Sequence, residues 1–189
     1  MMYSGAGVLP ITEFNGVDCF IVFSSKGDRF SDAGGKVDGN ESIFESGIRE
    51  LYEESCKLFR ISLSEIKKHT LIDIPCGLTK YGVFILKVNC DVSKDDYHLN
   101  RQILLEQNAH YHYLETFDMT FLPTNQIPIR IPGDKKLYEV EDVYGNKKTI
   151  TRRLYKIIKE FDAIKMSVKE LTLNGSYNKS GGITWSDRL

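Results

Sequence analysis

Three carboxylates, Glu50, Glu53 and Glu54, fall in the run Arg49-Glu50-Leu51-Tyr52-Glu53-Glu54. Offsets of three and four residues put them on one face of a helix, within reach of one another. Like charges so placed repel, by a few tenths of a kcal/mol per pair even at an exposed surface. A bound Mg²⁺ or Mn²⁺ turns that repulsion into attraction, because hard cations prefer carboxylate oxygens. The bland alternative is a solvated acidic face, and the acids alone do not decide between the two. The upstream pair Gly34-Gly35 favours a metal, since glycine lets backbone approach a ligand closely and can present a carbonyl oxygen to it. Arg49 sits among the acids, where it can pair with Glu45 one turn back or with Glu41 from the loop. Such a pair would fix the loop against the helix, the outer support that a metal site needs.

A helix must therefore carry these groups, and the sequence supplies one over about Ser42 to Phe59. Ser42-Ile43-Phe44-Glu45 has the form of a capping box. Phe44, Ile48, Leu51 and Leu58 recur at helical spacing and should face a core. Upstream, Ala6–Ile11 and Cys19–Phe23 read as strands, with the hairpin signal Asn15-Gly16 between them. Ser24 to Ser31 reads as a loop. Downstream, a short helix is expected over Ile61–Lys67, capped by Ser62 or Ser64. Strands are expected at Thr70–Ile74 and Tyr81–Val88, joined by a turn around Cys76–Thr79. Asn89–Tyr97 reads as a polar loop, Leu99–Gln107 as a short helical piece and Tyr111–Leu114 as an edge strand. Asn125–Gly133 carries two prolines, Pro128 and Pro132, and is excluded from a central strand or helix. A last amphipathic helix is expected from Thr149 to Lys165, with Leu154, Ile157, Ile158 and Phe161 on one side. The implied class is α/β (α+β), a mixed β-sheet between helices. One domain should span residues 1–173. The Gly/Ser/Asn-rich stretch 174–189 reads as a flexible tail, apart from what Trp185 docks.

With 189 residues, 41% of them apolar and 27% charged, the chain is long enough to bury a core without staples. A formal net charge of −1 argues against holding long nucleic acid by bulk electrostatics. No stretch approaches the roughly 20 apolar residues of a spanning helix, and Met1–Gly5 lacks the pattern of a signal peptide. Cys19, Cys56, Cys76 and Cys90 form no Cys-x-x-Cys pair, which speaks against structural zinc. They are expected to be free, buried thiols in a reducing, cytoplasmic compartment.

The offsets from Gly35 through Glu41, Arg49, Glu50, Leu51 and Glu53 to Glu54 resemble the Nudix box. That pattern is Gly, five residues, Glu, seven residues, Arg-Glu, apolar, any, Glu-Glu, any, Gly, apolar. Cys56 and Lys57 depart from it, standing where the family has a glycine and an apolar residue. The resemblance implies an α/β/α sandwich with a mixed sheet, extending more weakly over about residues 5–160. It also implies a Mg²⁺- or Mn²⁺-dependent hydrolase cutting the diphosphate linkage of a nucleoside diphosphate joined to another moiety. In that reading Glu53 and Glu54 are the principal metal ligands. Glu50 is a further ligand or the base that orients water, and the Gly35 carbonyl completes the shell. Glu41 and Arg49 are the orienting pair. Glu115 or Glu106 is the alternative base on a late loop, with Glu139 and Glu141 behind them. Two further readings stay open: a hydrolase that decaps RNA with the same box, and a Nudix-fold binding module without catalysis. Oligomeric state is not legible.

Substrate recognition is less visible. Lys26, Arg29 and Lys36 flank the box and read first as solvated, second as phosphate contacts. Phe30 and Tyr81 read first as packing, second as stacking on a base. On an edge strand His110 and His112 would share one face, with Tyr111 and Tyr113 on the other. Lys147, Lys148, Arg152, Arg153, Lys156 and Lys159 read as the solvated face of the last helix; with a capped RNA substrate, this strip would track the backbone.

Overall fold

The computed structural model describes residues 2–25, 28–89, 92–171 and 177–178. Two long strands, β1 (Tyr3–Phe14) and β2 (Val17–Ser25), form an antiparallel hairpin. Asn15 and Gly16 both take positive φ, 50° and 79°, as the tight turn that matches strand twist requires. The polar stretch after β2 is shorter than expected, because β3 (Arg29–Ser31) extends the sheet. Next come β4 (Ala33–Lys36), α1 (Ile43–Glu54) and the short α2 (Leu63–Ile66), capped by Ser62. The hairpin of β5 (Thr70–Cys76) and β6 (Thr79–Asn89) follows. β6 lies parallel to β1, while β4 pairs antiparallel with β1.

Four sequence expectations change. The loop expected through Tyr97 is already helix from Lys94: α3 (Lys94–Glu106) starts at Ser93, whose hydroxyl accepts from the Asp96 N–H in a capping box. The helix is mostly polar at its start, so apolar periodicity could not show it. Tyr111–Leu114 is a 3₁₀ turn rather than an edge strand. After β7 (Asp118–Pro123) and the two-residue β8 (Ile129–Arg130), Leu137–Glu141 forms β9. The expected start of the last helix is instead strand β10 (Lys147–Thr151), where β-branched Thr149, Ile150 and Thr151 favour the sheet. Helix α4 then runs over Arg152–Leu171. Tyr177–Asn178, β11, pair in parallel with β6. The remainder of the expected tail, Trp185 included, lies outside the described residues, as do Lys26 and Cys90.

The sheet is mixed, with parallel β1–β6 and β3–β10 pairs among antiparallel ones. Alternation along β2 divides its side chains between two cores. Phe20 and Val22 face Leu154, Ile157, Ile158 and Phe161 of α4. Cys19, Ile21 and Phe23 face Leu51 of α1, Ile66 of α2 and Tyr97 and Leu104 of α3. Period-two side chains on a sheet buried on both sides produce this helix–sheet–helix layering. Among the described residues no helix is long and apolar enough to cross a membrane.

Candidate active site

Helix α1 lies across β1 and β4, so its inner acids meet the glycines of β4. Its start is fixed by a capping box: the Ser42 hydroxyl accepts from the Glu45 N–H, and a Glu45 oxygen accepts from the Ser42 N–H. Its end comes several residues before the expected Phe59. Cys56 and Lys57 take φ of 52° and 65°, and the Lys57 N–H reaches back to the Tyr52 carbonyl at 2.9 Å, a Schellman-type exit. These are the two positions where the box departs. The left-handed conformation costs a residue with a Cβ roughly 1–2 kcal/mol, so glycine is the natural occupant of position 56. Here the turn is held by other contacts. Cys56 is buried with its thiol 3.5 Å from the Tyr113 carbonyl oxygen, Asn100 donates to the Cys56 carbonyl, and the Lys57 ammonium lies 4.4 Å from the Tyr113 ring centre. Thr116 donates to the Glu54 carbonyl at 2.6 Å and receives the Tyr97 hydroxyl at 2.7 Å, pinning the end of α1 to the neighbouring layer.

Arg49 organises the acids. Its Nε donates to Glu41 at 2.8 Å, Nη2 donates to Glu41 and to the Lys36 carbonyl at 3.1 Å, and Nη1 bridges Glu50 at 2.8 Å and Glu53 at 3.1 Å. The alternative pairing with Glu45 is not made, because that carboxylate caps the helix. Hydrogen bonding to Arg49 holds the Glu41 carboxyl below the usual carboxylate range, and the same bonds raise Arg49 above its own. The loop is thereby tied to the helix as the sequence suggested.

The inner pair behaves oppositely. Burial pushes the Glu50 carboxyl up despite Arg49, helped by the charges of Glu53 and Glu115. Glu54 goes further, to about 8, raised by burial and by Asp32 and Glu50 against the pull of Arg153 and of the Gly34 N–H, which donates to it at 3.0 Å. Gly35 closes the gap on the other side. A Cβ there would stand 2.9 Å from Glu50 Cδ, and nearer still to Oε1, so only glycine lets β4 approach this carboxylate. Carboxylates gathered beside bare glycine backbone, two sharing the Arg49 guanidinium and the third held by the Gly34 N–H, are an oxygen-only donor set, which suits a hard divalent cation. Among the described residues no three ligand side chains already converge as a finished cage; the Arg49 guanidinium stands between Glu50 and Glu53.

Beneath this face lies a buried network that sequence reasoning missed. Asp32, fully buried, accepts from Arg153 Nε at 2.8 Å, from the Tyr81 hydroxyl at 2.9 Å and from the Ser31 hydroxyl at 2.9 Å. Arg153 also donates to the Gly34 carbonyl at 3.1 Å and lies 4.7 Å from the Tyr81 ring centre. Burial opposes the charge on Arg153, yet Asp32 and Glu54 hold it above the usual value. Arg153 thus links α4 to β4 and compensates Glu54; it is no part of a solvated helix face. A Cβ on Gly34 would fall on the Tyr81 hydroxyl and 2.6 Å from the Gly7 Cα. The pairing of Gly7 with Gly34 in the β1–β4 register is the trace this network leaves in the sequence.

Other candidates scatter. Glu115 hydrogen-bonds His112 at 2.9 Å and is close enough to raise Glu50, so it faces the acidic helix. Glu106 ends α3, bonded by Gln102. Glu139 pairs with Lys147 across β9 and β10, and Glu141 shares β9, so neither belongs to the cluster. Phe30 and Tyr81 are core residues, not stacking platforms. The 3₁₀ turn groups the rings of His110, Tyr111 and His112 within 4.7 Å of one another, instead of alternating them. Lys147 and Lys148 belong to β10, not to the helix. Arg29 and Lys36 are exposed. Cys19 and Cys56 are buried free thiols, but Cys76, at the end of β5, is exposed.

No protein-family model matches the sequence, and no curated protein matches it. Solved structures do. A MutT/nudix family protein from Enterococcus faecalis superposes with a TM-score of 0.53 at 14% identity, covering 91% of this chain and 68% of that one. Looser likenesses include a C. elegans Ap4A hydrolase (TM-score 0.36, 17% identity, 48% and 71% covered). Another is the NUDIX domain of Shewanella oneidensis NrtR complexed with ADP ribose (TM-score 0.37, 9% identity, 65% and 73% covered). The chain has the Nudix fold.

Proposed function

We propose that this protein is a divalent-metal-dependent hydrolase that cleaves the diphosphate linkage of a nucleoside diphosphate joined to a second moiety. The observation that carries the reading is the packing of largely buried carboxylates on α1 against glycine backbone on β4, with Arg49 and Glu41 clamping the loop to the helix. Fold alone would not support it, since one fold hosts many activities.

Glu53 and Glu54 would hold Mg²⁺ or Mn²⁺, with Glu50 and the Gly35 carbonyl completing the set. When bound, the cation supplies Lewis-acid neutralisation of the non-bridging diphosphate oxygens. The chain's own groups do the rest. Arg49 keeps Glu50 and Glu53 in register and fixes the loop through Glu41. Glu50, its carboxyl raised, is suited to take a proton from the attacking water. Glu115, oriented by His112, faces the same acids from a second element and is the alternative base. Asp32, Tyr81 and Arg153 hold Gly34 where its N–H meets Glu54.

The test is a panel of nucleoside diphosphate derivatives, nucleotide sugars and capped RNA, each incubated with Mg²⁺ or Mn²⁺, with release of phosphate-bearing products measured. Metal-dependent turnover of at least one class is expected. No turnover anywhere, together with no calorimetric metal binding, would leave the fold as a binding module.

A further inference from the structure

Arg152 and Arg153 are neighbours in the chain, but they face opposite ways. Arg153 turns inward to Asp32, whereas Arg152 lines a groove of about 360 Å³ formed by α4, β5 and β9. Lys156 and Lys159 follow at offsets of four and three on the same side of α4. Their contacts are not with acids. The Lys156 ammonium donates to the Pro75 carbonyl at 3.4 Å, and that of Lys159 lies 5.9 Å from the Tyr155 ring centre. Among the described residues none of the three cations has a carboxylate partner. Glu160 is the one acid on the lining, so the groove keeps two net positive charges on a chain whose total is −1. Its wall also carries an aromatic platform: Tyr138 of β9 and Tyr155 of α4 stack at 3.8 Å with 8° between the rings.

We propose that this groove binds single-stranded nucleic acid, with Arg152, Lys156 and Lys159 on successive phosphates and a base against the part of the half-buried tyrosine pair that stays exposed. Cations spaced along a helix beside aromatic rings are the two components that sequence-tolerant single-strand binding combines. The surface is distinct from the acidic face of α1, and the inference does not depend on which bond the protein cuts, or on whether it cuts one.

The test is fluorescence anisotropy of a labelled single-stranded RNA dodecamer against the full-length protein, without divalent metal, over a range of monovalent salt. Three phosphate contacts predict a slope of log K against log salt of about −2, at roughly −0.7 per contact on a single strand. Changing Arg152→Gln, Lys156→Gln and Lys159→Gln together should weaken binding at least tenfold and flatten the slope. Two of these side chains are exposed and the third is half-buried, so folding should survive, and an unchanged melting temperature would verify it. No binding by the native protein, or equal affinity and slope in the triple variant, overturns the proposal. Because the readout is binding without turnover, failure here is separable from failure of the hydrolase reading.

Discussion

Replacing either glycine of β4 by alanine adds the same atom one residue apart, yet the two changes should fail differently. At Gly35 the three atoms nearest the new Cβ all belong to the far end of Glu50, with Cδ at 2.9 Å, Oε2 at 3.0 Å and Oε1 closer. Ordinary contact begins at 3.4 Å, so the carboxylate must retreat. A flexible side chain can do so cheaply, and the stability cost should stay below about 1 kcal/mol, or roughly 2–4 °C in a domain of this size. The retreat breaks the 2.8 Å bond from Arg49 to Glu50. A displacement on the order of 1 Å in a catalytic group costs about 100-fold in rate. At Gly34 the new atom collides with the Tyr81 hydroxyl, the Gly7 Cα at 2.6 Å and the Ala6 carbonyl at 2.8 Å. Backbone on a central strand cannot step aside, so about 3 kcal/mol or more is lost. That corresponds to a fall of roughly 6–12 °C. The assay pairs calorimetric melting with turnover on whichever substrate the panel identifies. Gly35→Ala with full activity, or the two variants melting alike, would refute the assigned contact between β4 and α1.

Glu54 makes stability depend on pH in a set direction. Its folded carboxyl titrates near 8, raised from 4.5, so the unfolded chain releases this proton first. The metal-free protein should therefore lose stability as pH rises from about 4.5 to 8. Glu54→Gln should remove that part of the slope in urea titrations across this range, whereas equal slopes in the two proteins would contradict it. Arg153→Met should cost about 3–5 kcal/mol in the same titrations, because it leaves Asp32 charged and buried without its cation; a loss below 1 kcal/mol would place Arg153 outside the core.

The carboxylate platform was legible in the sequence because its chemistry is local. Offsets of three and four on a capped helix decide which acids share a face, and the capping box marks where the helix starts. The glycine pair and the Arg49–Glu41 clamp span only a short loop, so they too could be read. The helix end could not. Phe59 continues the apolar pattern, but the backbone at Cys56 and Lys57 turns left-handed, held by Tyr113 and Asn100 from distant segments. The network under the site was invisible for the same reason: Asp32, Tyr81 and Arg153 meet across 121 residues. In a basic run on an amphipathic helix, nothing local distinguishes the inward arginine from its outward neighbours. The start of α3 was hidden by polarity, since its Asp-rich first turn is stabilised by capping instead of by a buried face.

Glu53→Gln tests whether α1 and β4 form the proposed metal platform for diphosphate hydrolysis. Glutamine keeps the size of the largely buried Glu53 side chain, and its amide oxygen can keep the bond from Arg49. The measurement is Mg²⁺- and Mn²⁺-dependent turnover of the native protein and of the variant, beside their circular dichroism. The prediction is an unchanged spectrum with metal-dependent turnover abolished; a normal spectrum with turnover retained would contradict the claim.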